Sequence, residues 1–408
     1  MMHVDGNRLW DSLMRMAEIG ATKGGGNCRL ALSNQDKMGR DLFISWASEI
    51  GCSIDFDDVG NLIARYPGLN NTLPPIAMGS HLDTQPNGGR FDGVYGVLAG
   101  LEVMRTLHDH SFKAERPIEV IAWTNEEGSR FPPAMMGSGV FIGELDLDHT
   151  LATTDANGVS VESELERHGY KGKPSLRNHP IAAYIEAHIE QGPILENQDK
   201  TIGVVTGVQG IRWYNIEVHG VATHAGPTPM EMRSDALELA SHLVLDILAI
   251  AKIDGDARAT IGEFNISPGS RNVVPDKVSL TVDLRHPNSE TLLTMHNQLH
   301  ELIEQACVKK NGWSAKISDI WYSPPVNFDR NLVDSIRNGA NDHNYSYMEI
   351  VSGAGHDAVY LSKVSPTSMI FIPCAGGVSH NEAESASKDD VIAGANVLLH
   401  AIHKFLTE

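Results

Sequence analysis

The feature that most constrains this chain is a repeated pattern: a short apolar run that stops in a cluster of histidine and carboxylate side chains. Ile76 to Gly79 runs into Ser80-His81-Leu82-Asp83, and Ile118 to Trp123 runs into Thr124-Asn125-Glu126-Glu127. Tyr184 to His188 runs into Glu190-Gln191-Gly192-Pro193. Between the first two, Val94, Val97, Leu98, Leu101, Met104 and Leu107 recur at helical spacing. Ser368 to Ile372 reads as another strand, and Val391, Leu398, Leu399, Ile402 and Phe405 share one helical face near the C-terminus. Continuous apolar runs bounded by turns are buried strands, and strands that alternate with helices call for a layered α/β fold.

The stretch from about Arg212 to Phe328 follows a different order. A strand (Trp213 to Val218) precedes a helix (Ser234 to Ile250), then two strands (Thr260 to Ile266, Val278 to Leu284). A helix (Glu290 to Val308) and a strand (Ser314 to Trp321) complete a β-α-β-β-α-β series, the split βαβ pattern. Gly207 to Gly210 and Ser323-Pro324-Pro325 flank it as candidate hinges. The expectation is a mixed-sheet α/β domain built from residues 1–211 and 329–408, with a ferredoxin-like α+β domain inserted at 212–328.

Composition narrows the partners. The 52 Asp and Glu exceed the 32 Lys and Arg, for a net charge of −20. Nucleic acid and anionic membrane repel such a chain, although a local basic pocket can still hold a small anion. No apolar run reaches the ~18 residues of a membrane span, and Met1 to Gly20 is amphipathic rather than a leader peptide. Cys28, Cys52, Cys307 and Cys374 are few and scattered, with no CxxC, so a reducing, cytoplasmic setting is expected rather than a disulfide framework.

The polar residues sit where strands end, and open α/β sheets bind ligands beyond the carboxyl ends of their strands. His81, Asp92, Glu127, His188 and His380 are therefore expected to converge as metal ligands. A binuclear site explains the set: Asp92 has two oxygens with which to bridge, and imidazole and carboxylate together suit borderline divalent ions. Such a pair lowers the pKa of a bridging water from ~15.7 toward ~7. Asp83 is expected to accept the second ring N–H of His81, and Glu126 to act as general base. Taken singly, each of these residues reads as ordinary structure; Asp92-Gly93, for example, could simply cap a helix.

The joint pattern resembles the M20 metallopeptidase clan, and within it the amidase/hydantoinase/carbamoylase branch. The resemblance rests on Gly79-Ser80-His81-Leu82-Asp83-Thr84, Asn87-Gly88-Gly89-Arg90-Phe91-Asp92-Gly93 and Asn125-Glu126-Glu127-Gly128-Ser129-Arg130-Phe131. His188-Ile189-Glu190-Gln191-Gly192-Pro193, Gly353-Ala354-Gly355-His356-Asp357-Ala358 and Ser379-His380-Asn381 extend it. It implies a two-metal hydrolase of amide bonds in ureido compounds, with a catalytic domain and a lid domain that mediates dimerisation. By position, His81 and His188 would bind one ion and Glu127 and His380 the other. Asp92 would bridge and Glu126 would be the base; the ions would be Zn²⁺, Mn²⁺, Co²⁺ or Ni²⁺. The inserted domain would recognise a small anionic substrate. Arg285 would fork onto a carboxylate, Asn272 would donate to it, and His224 would stabilise an oxyanion, with His224 and Asn272 reaching across a homodimer. Arg212 and Gln191 are further candidates, and Gly353, Ala354 and Gly355 offer backbone N–H groups to an anion.

The expected activity is hydrolysis of an N-carbamoyl-L-amino acid or N-carbamoyl-β-alanine, with allantoate or ureidoglycolate as the alternative substrates. Arg130 to Phe141 and Gln85-Pro86 favour the carbamoyl reading by the same resemblance. A cysteine-nucleophile amidase, using Cys374 with His380 or His356, competes with it. A non-catalytic binding protein is the third possibility, and Glu126 argues against that.

Overall fold

The computed structural model describes residues 2–308 and 312–406. Its strands, in chain order, begin with β1 (Ser53–Phe56), β2 (Leu62–Tyr66), β3 (Ile76–His81), β4 (Ile118–Trp123), β5 (Ala183–Ile189) and β6 (Ile202–Val208). Next come β7 (Gly210–His219), β8 (Thr223–His224), β9 (Arg258–Ser267), β10 (Val273–Val274), β11 (Lys277–His286), β12 (Ser314–Ser323) and β13 (Val326–Asn327). The last two are β14 (Tyr347–Ser352) and β15 (Thr367–Ile372). The chain forms two compact units, Met1–Thr206 with Phe328–Glu408, and Gly207–Asn327.

The larger unit is a mixed α/β fold. Its sheet runs β1-β2-β4-β3-β5-β15-β6, and β14 also pairs with β6. The neighbours β4, β3, β5 and β15 are parallel, whereas β1 and β2 on one side and β6 on the other are antiparallel. Every residue of β3, β4, β5 and β15 is buried, which is why these strands read as unbroken apolar runs rather than alternating ones. The helix Val94–Asp109 packs on β3, β4 and β5, and each of its residues from Val94 to Leu107 is buried. The helix Lys388–His403 packs on that helix and on β15. From β3 the chain crosses to β4 on one side, and from β5 the order proceeds to β15 on the other. The reversal leaves a crevice between the carboxyl ends of β3 and β5, where His81 and His188 sit.

The smaller unit is a four-stranded antiparallel sheet in the order β12-β7-β11-β9. Two helices, Ala236–Ile250 and Ser289–Val308, pack on it. β11 alternates strictly between buried and half-buried residues, so the helices cover one face of the sheet. Tyr214, Ile216, Val218, Val278, Leu280, Val282 and Leu284 line that face against Leu239, Leu243, Leu292, Met295 and Leu299. A register shift between Asp319 and Trp321 breaks the alternation of β12. It turns Trp321 to the open face, where its ring lies 4.9 Å from that of Trp213.

Close approach of helix to sheet in the larger unit depends on two glycines one turn apart. A Cβ at Gly100 would lie 2.9 Å from Val120 Cγ2, and one at Gly96 would lie 2.4 Å from the Ala187 carbonyl oxygen. Alanine inside a helix ordinarily stabilises by ~0.5–1 kcal/mol over glycine. At Gly96 the sign should reverse, because the obstructing atom is backbone. Gly96→Ala is expected to lower the unfolding free energy by about 1–3 kcal/mol, the usual cost of overpacking. A denaturation midpoint equal to or above that of the wild type would contradict this account of the packing.

Candidate active site

Asp92 stands at the centre of the crevice. Its carboxylate Oδ1 lies 3.2 Å from His188 Nε2 and 3.8 Å from His81 Nε2. Its Oδ2 lies 3.3 Å from His380 Nε2, which is also 3.4 Å from Glu127 Oε2. The structure thus brings together all five residues expected at the strand ends. They form two groups that share Asp92: His81, Asp92 and His188, and Asp92, Glu127 and His380, each with its ligand atoms within 4.8 Å of one another.

The backbone explains how these side chains arrive. Gly93, not Asp92, is the N-cap of the helix Val94–Asp109, and it has φ +67°. A Cβ there would lie 2.3 Å from the His81 ring, so only glycine fits both the conformation and the space. The Asp92 carboxylate is left to face the histidines instead of capping the helix. Asn125, Gln191 and His380 also take positive φ without being glycine. Such conformations cost about 1–3 kcal/mol each and cluster at functional sites.

The imidazoles are oriented by main-chain carbonyls. His81 Nδ1 lies 2.9 Å from the Asp83 carbonyl oxygen, and His188 Nδ1 lies 2.9 Å from that of Ile189. A ring nitrogen facing a carbonyl oxygen donates, and both Nε2 atoms are thereby turned to the site. The expected role of Asp83 needs correction. Its carboxylate is 3.9 Å from His81 Nδ1 and instead accepts the N–H groups of Glu126 and Glu127 at 3.3 and 3.2 Å. Asp83 therefore fixes the turn that presents the two glutamates.

Other partners escape sequence reasoning. Gln85 donates its backbone N–H and its Nε2 to the two Glu127 oxygens at 3.1 and 2.7 Å. Ser379 Oγ donates to Asp92 Oδ2 at 3.0 Å. Glu384 accepts the N–H groups of Phe91 and Asp92 at 2.9 and 3.1 Å. Gln191, expected to face substrate, gives its Nε2 to Asp92 Oδ2 at 3.0 Å. In the Gly353-Ala354-Gly355 loop, the Ala354 N–H is already donated to Ser352 Oγ at 3.1 Å, so that amide is not available to an anion.

The acids outnumber the bases that could neutralise them. Burial, then repulsion from Asp92, raises Glu127 to about 8. Burial, then Asp357, Glu127, Asp83 and Asp92, raises Glu126 well above the ordinary range. Burial opposes a charge on His188, but the hydrogen bond and charge of Asp92 prevail and raise it to about 9. His380 rises to about 9 through its hydrogen bond to Asp92, against the effect of burial. Burial lowers His81 to about 4, which keeps that ring neutral and able to ligate. A buried carboxylate cluster with inward-turned imidazole nitrogens is the donor chemistry that divalent cations satisfy.

Cys374 lacks the surroundings of an activated nucleophile. Its thiol is buried, donates to the Val378 carbonyl oxygen at 2.8 Å, and is pushed up to about 12 by burial. Cys28, Cys52 and Cys374 are free thiols; the side chain of Cys307 lies outside the described residues.

The remaining candidates lie in the smaller unit. His224 and Asn272 are brought side by side by the β8–β10 pair, in which His224 faces Val273 and the Ala225 N–H donates to the Asn272 carbonyl oxygen at 2.9 Å. Arg285 forks onto Asp283, with its terminal nitrogen 2.7 Å from Oδ2, and Trp213 Nε1 donates to the same oxygen at 3.0 Å. Arg212 stands opposite Leu284 in the ladder, whereas Arg285 stands opposite Ile211. Ladder partners share a face, so the two arginines point to opposite sides of one sheet and cannot grip the same small anion. Arg212 stacks its guanidinium on the Tyr322 ring at 3.9 Å.

Comparison with known proteins places the chain. The peptidase family M20/M25/M40 profile matches residues 77–404. An N-carbamoyl-L-amino-acid amidohydrolase of Rhizobium meliloti is 45% identical over 401 residues, 98% of this chain and 96% of that protein. An allantoate amidohydrolase of Bacillus subtilis (strain 168) is 34% identical over 402 residues, covering 98% and 97%. The crystal structure of an amidase of the hydantoinase/carbamoylase family from Burkholderia multivorans superposes with a TM-score of 0.96 at 50% identity, covering 100% and 99%. The chain belongs to peptidase family M20/M25/M40, in its hydantoinase/carbamoylase branch, and is a hydrolase of C–N amide bonds.

Proposed function

We propose that this chain cleaves the carbamoyl C–N bond of N-carbamoyl-L-amino acids or N-carbamoyl-β-alanine, releasing amino acid, ammonia and carbon dioxide, with two divalent ions per subunit. The observation that carries the reading is the division of Asp92, whose Oδ1 faces His81 and His188 and whose Oδ2 faces His380. In this reading His81 and His188 hold one ion, Glu127 and His380 hold the other, and Asp92 serves both. Zn²⁺, Mn²⁺, Co²⁺ and Ni²⁺ all accept such a set. Bound ions would supply Lewis acidity and bring the pKa of water down to about 7. Glu126, held by Asp83 through its backbone N–H, takes the proton from the attacking water and returns it to the leaving nitrogen.

Recognition is assigned to the smaller unit. Arg285, oriented by Asp283, is assigned to the substrate carboxylate, and Asn272 adds a hydrogen bond. His224 Nδ1 accepts the Gly226 N–H at 3.1 Å, so Nε2 carries the ring proton and can donate to a developing oxyanion. The reading includes a lid role for this unit and a homodimer joined through it, with His224 and Asn272 serving the partner subunit's site. Allantoate or ureidoglycolate is the second reading, because relatives matched along 98% of this chain carry those activities in their names.

Assay of the metal-loaded protein against N-carbamoyl-L-amino acids, N-carbamoyl-β-alanine, allantoate and ureidoglycolate separates the readings. Turnover of allantoate well above every carbamoyl amino acid would overturn the first. Glu126→Gln is expected to retain bound metal by elemental analysis while losing ~10²–10⁴ in kcat, the common range for a general base. An active variant would remove Glu126 from the chemistry. Chelation should abolish turnover and metal should restore it, while iodoacetamide should leave it intact, because Cys374 is neither exposed nor ionised.

A further inference from the structure

The helix Ser289–Val308 places His296 and His300 four residues apart, one turn on the same face. Their ring centroids are 4.4 Å apart. Asp319 stands opposite Tyr214 in the β12–β7 ladder. Tyr214 is buried in the core under the helices, so Asp319 shares the helix-covered face. It is the last β12 residue to do so before the bulge. There Asp319 Oδ1 comes to 3.0 Å from His300 Nε2. One ligand atom each from His296, His300 and Asp319 lies within 4.8 Å of the others. The Tyr214 hydroxyl meets His296 Nδ1 at 2.9 Å, which fixes that ring and leaves Nε2 as its ligating nitrogen.

We propose that His296, His300 and Asp319 form a second divalent-metal site, separate from the crevice in the larger unit, that takes a borderline ion such as Zn²⁺ or Ni²⁺. Two imidazoles and one carboxylate are the ligand types these ions select, and the remaining coordination positions would be completed by water. Neighbouring tetrahedral ligands around zinc lie roughly 3.3 Å apart, given bond lengths of ~2.0–2.1 Å. The His300–Asp319 spacing of 3.0 Å already approaches that value, and the His296 ligand atom lies within 4.8 Å of both. Burial, then the charges of Arg212 and His300, lowers the pKa of His296, against the pull of Asp319. The Arg212 charge also opposes a cation, so this site should be weaker than the one in the crevice. Asp319 is exposed and His300 half-exposed, which gives the ion a route in from solvent. An ion held there would clip the helix Ser289–Val308 to β12, the edge strand of the sheet.

The test uses full-length protein whose crevice is already metal-loaded. Equilibrium dialysis against ZnCl₂ should find one additional Zn²⁺ per chain in the wild type. His300→Ala and His296→Ala should each weaken that binding by tenfold or more, and Tyr214→Phe by about 10–100-fold, as loss of a ligand-orienting partner does. Hydrolytic activity at stoichiometric metal should be unchanged in all three. Should one alanine variant fold poorly by circular dichroism, His300→Gln serves in its place. Anomalous scattering from a Ni²⁺-soaked crystal should peak between the three side chains. Equal stoichiometry and affinity in wild type and variants would overturn the proposal, and so would a soaked crystal with no peak at that position.

Discussion

The candidate site depends on one local constraint: the helix Val94–Asp109 begins on a glycine whose backbone no other residue can copy in the space available. Gly93 turns with φ +67° directly beneath the His81 ring, and the residue before it is thereby freed from capping. Asp92 can then divide its two oxygens between histidines from different parts of the chain. Were Asp92 itself the cap, its carboxylate would be spent on the helix N–H groups and the central carboxylate would be lost. Gly96 and Gly100 extend the same logic, because they let the helix approach β3 and β5 closely enough for the carboxylate to reach the crevice.

The electrostatics follow from that placement. Asp83, Asp92, Glu126, Glu127 and Glu384 are all largely buried, and His81, His188 and His380 are the bases nearest Asp92. Burying carboxylates without compensation costs several kcal/mol per charge, so the free protein binds protons where ordinary acids would not. The raised pKa values of Glu127, Asp83 and Glu384 are that compensation. A site arranged in this way is poised to exchange protons for cations, and its metal affinity will rise with pH.

The sequence carried the parts of this arrangement that periodicity and position reveal. Fully buried parallel strands produce unbroken apolar runs, and the polar residues at their ends stand out against them. The β-α-β-β-α-β series was readable in part because β7 and β11 alternate in burial with a period of two. What the sequence hid were contacts between distant positions. Spacing showed that Asp83 shares a side of the strand with His81. It did not show that the main-chain oxygen serves the imidazole while the carboxylate serves the amides of Glu126 and Glu127. Glu384 reaches Asp92 from 292 residues away, and no local pattern marks it. Arg285 and the weaker candidate Arg212 both stand out in the sequence, and only the ladder register puts them on opposite faces. His296 and His300 did carry a signal, their four-residue spacing on a helix, but the third member comes from another element.

The bonds from Glu384 to the Phe91 and Asp92 amides have a kinetic meaning as well as a static one. During synthesis the first strands and their helix can pack long before the C-terminal segment leaves the ribosome. The loop that carries Asp92 then waits without its acceptor, and His380 is missing from its place. Closing so large a loop is slow compared with local helix and hairpin formation. Completion of this cluster therefore waits on the C-terminal segment, and an unfinished chain lacks both His380 and the acceptor of the Phe91 and Asp92 amides.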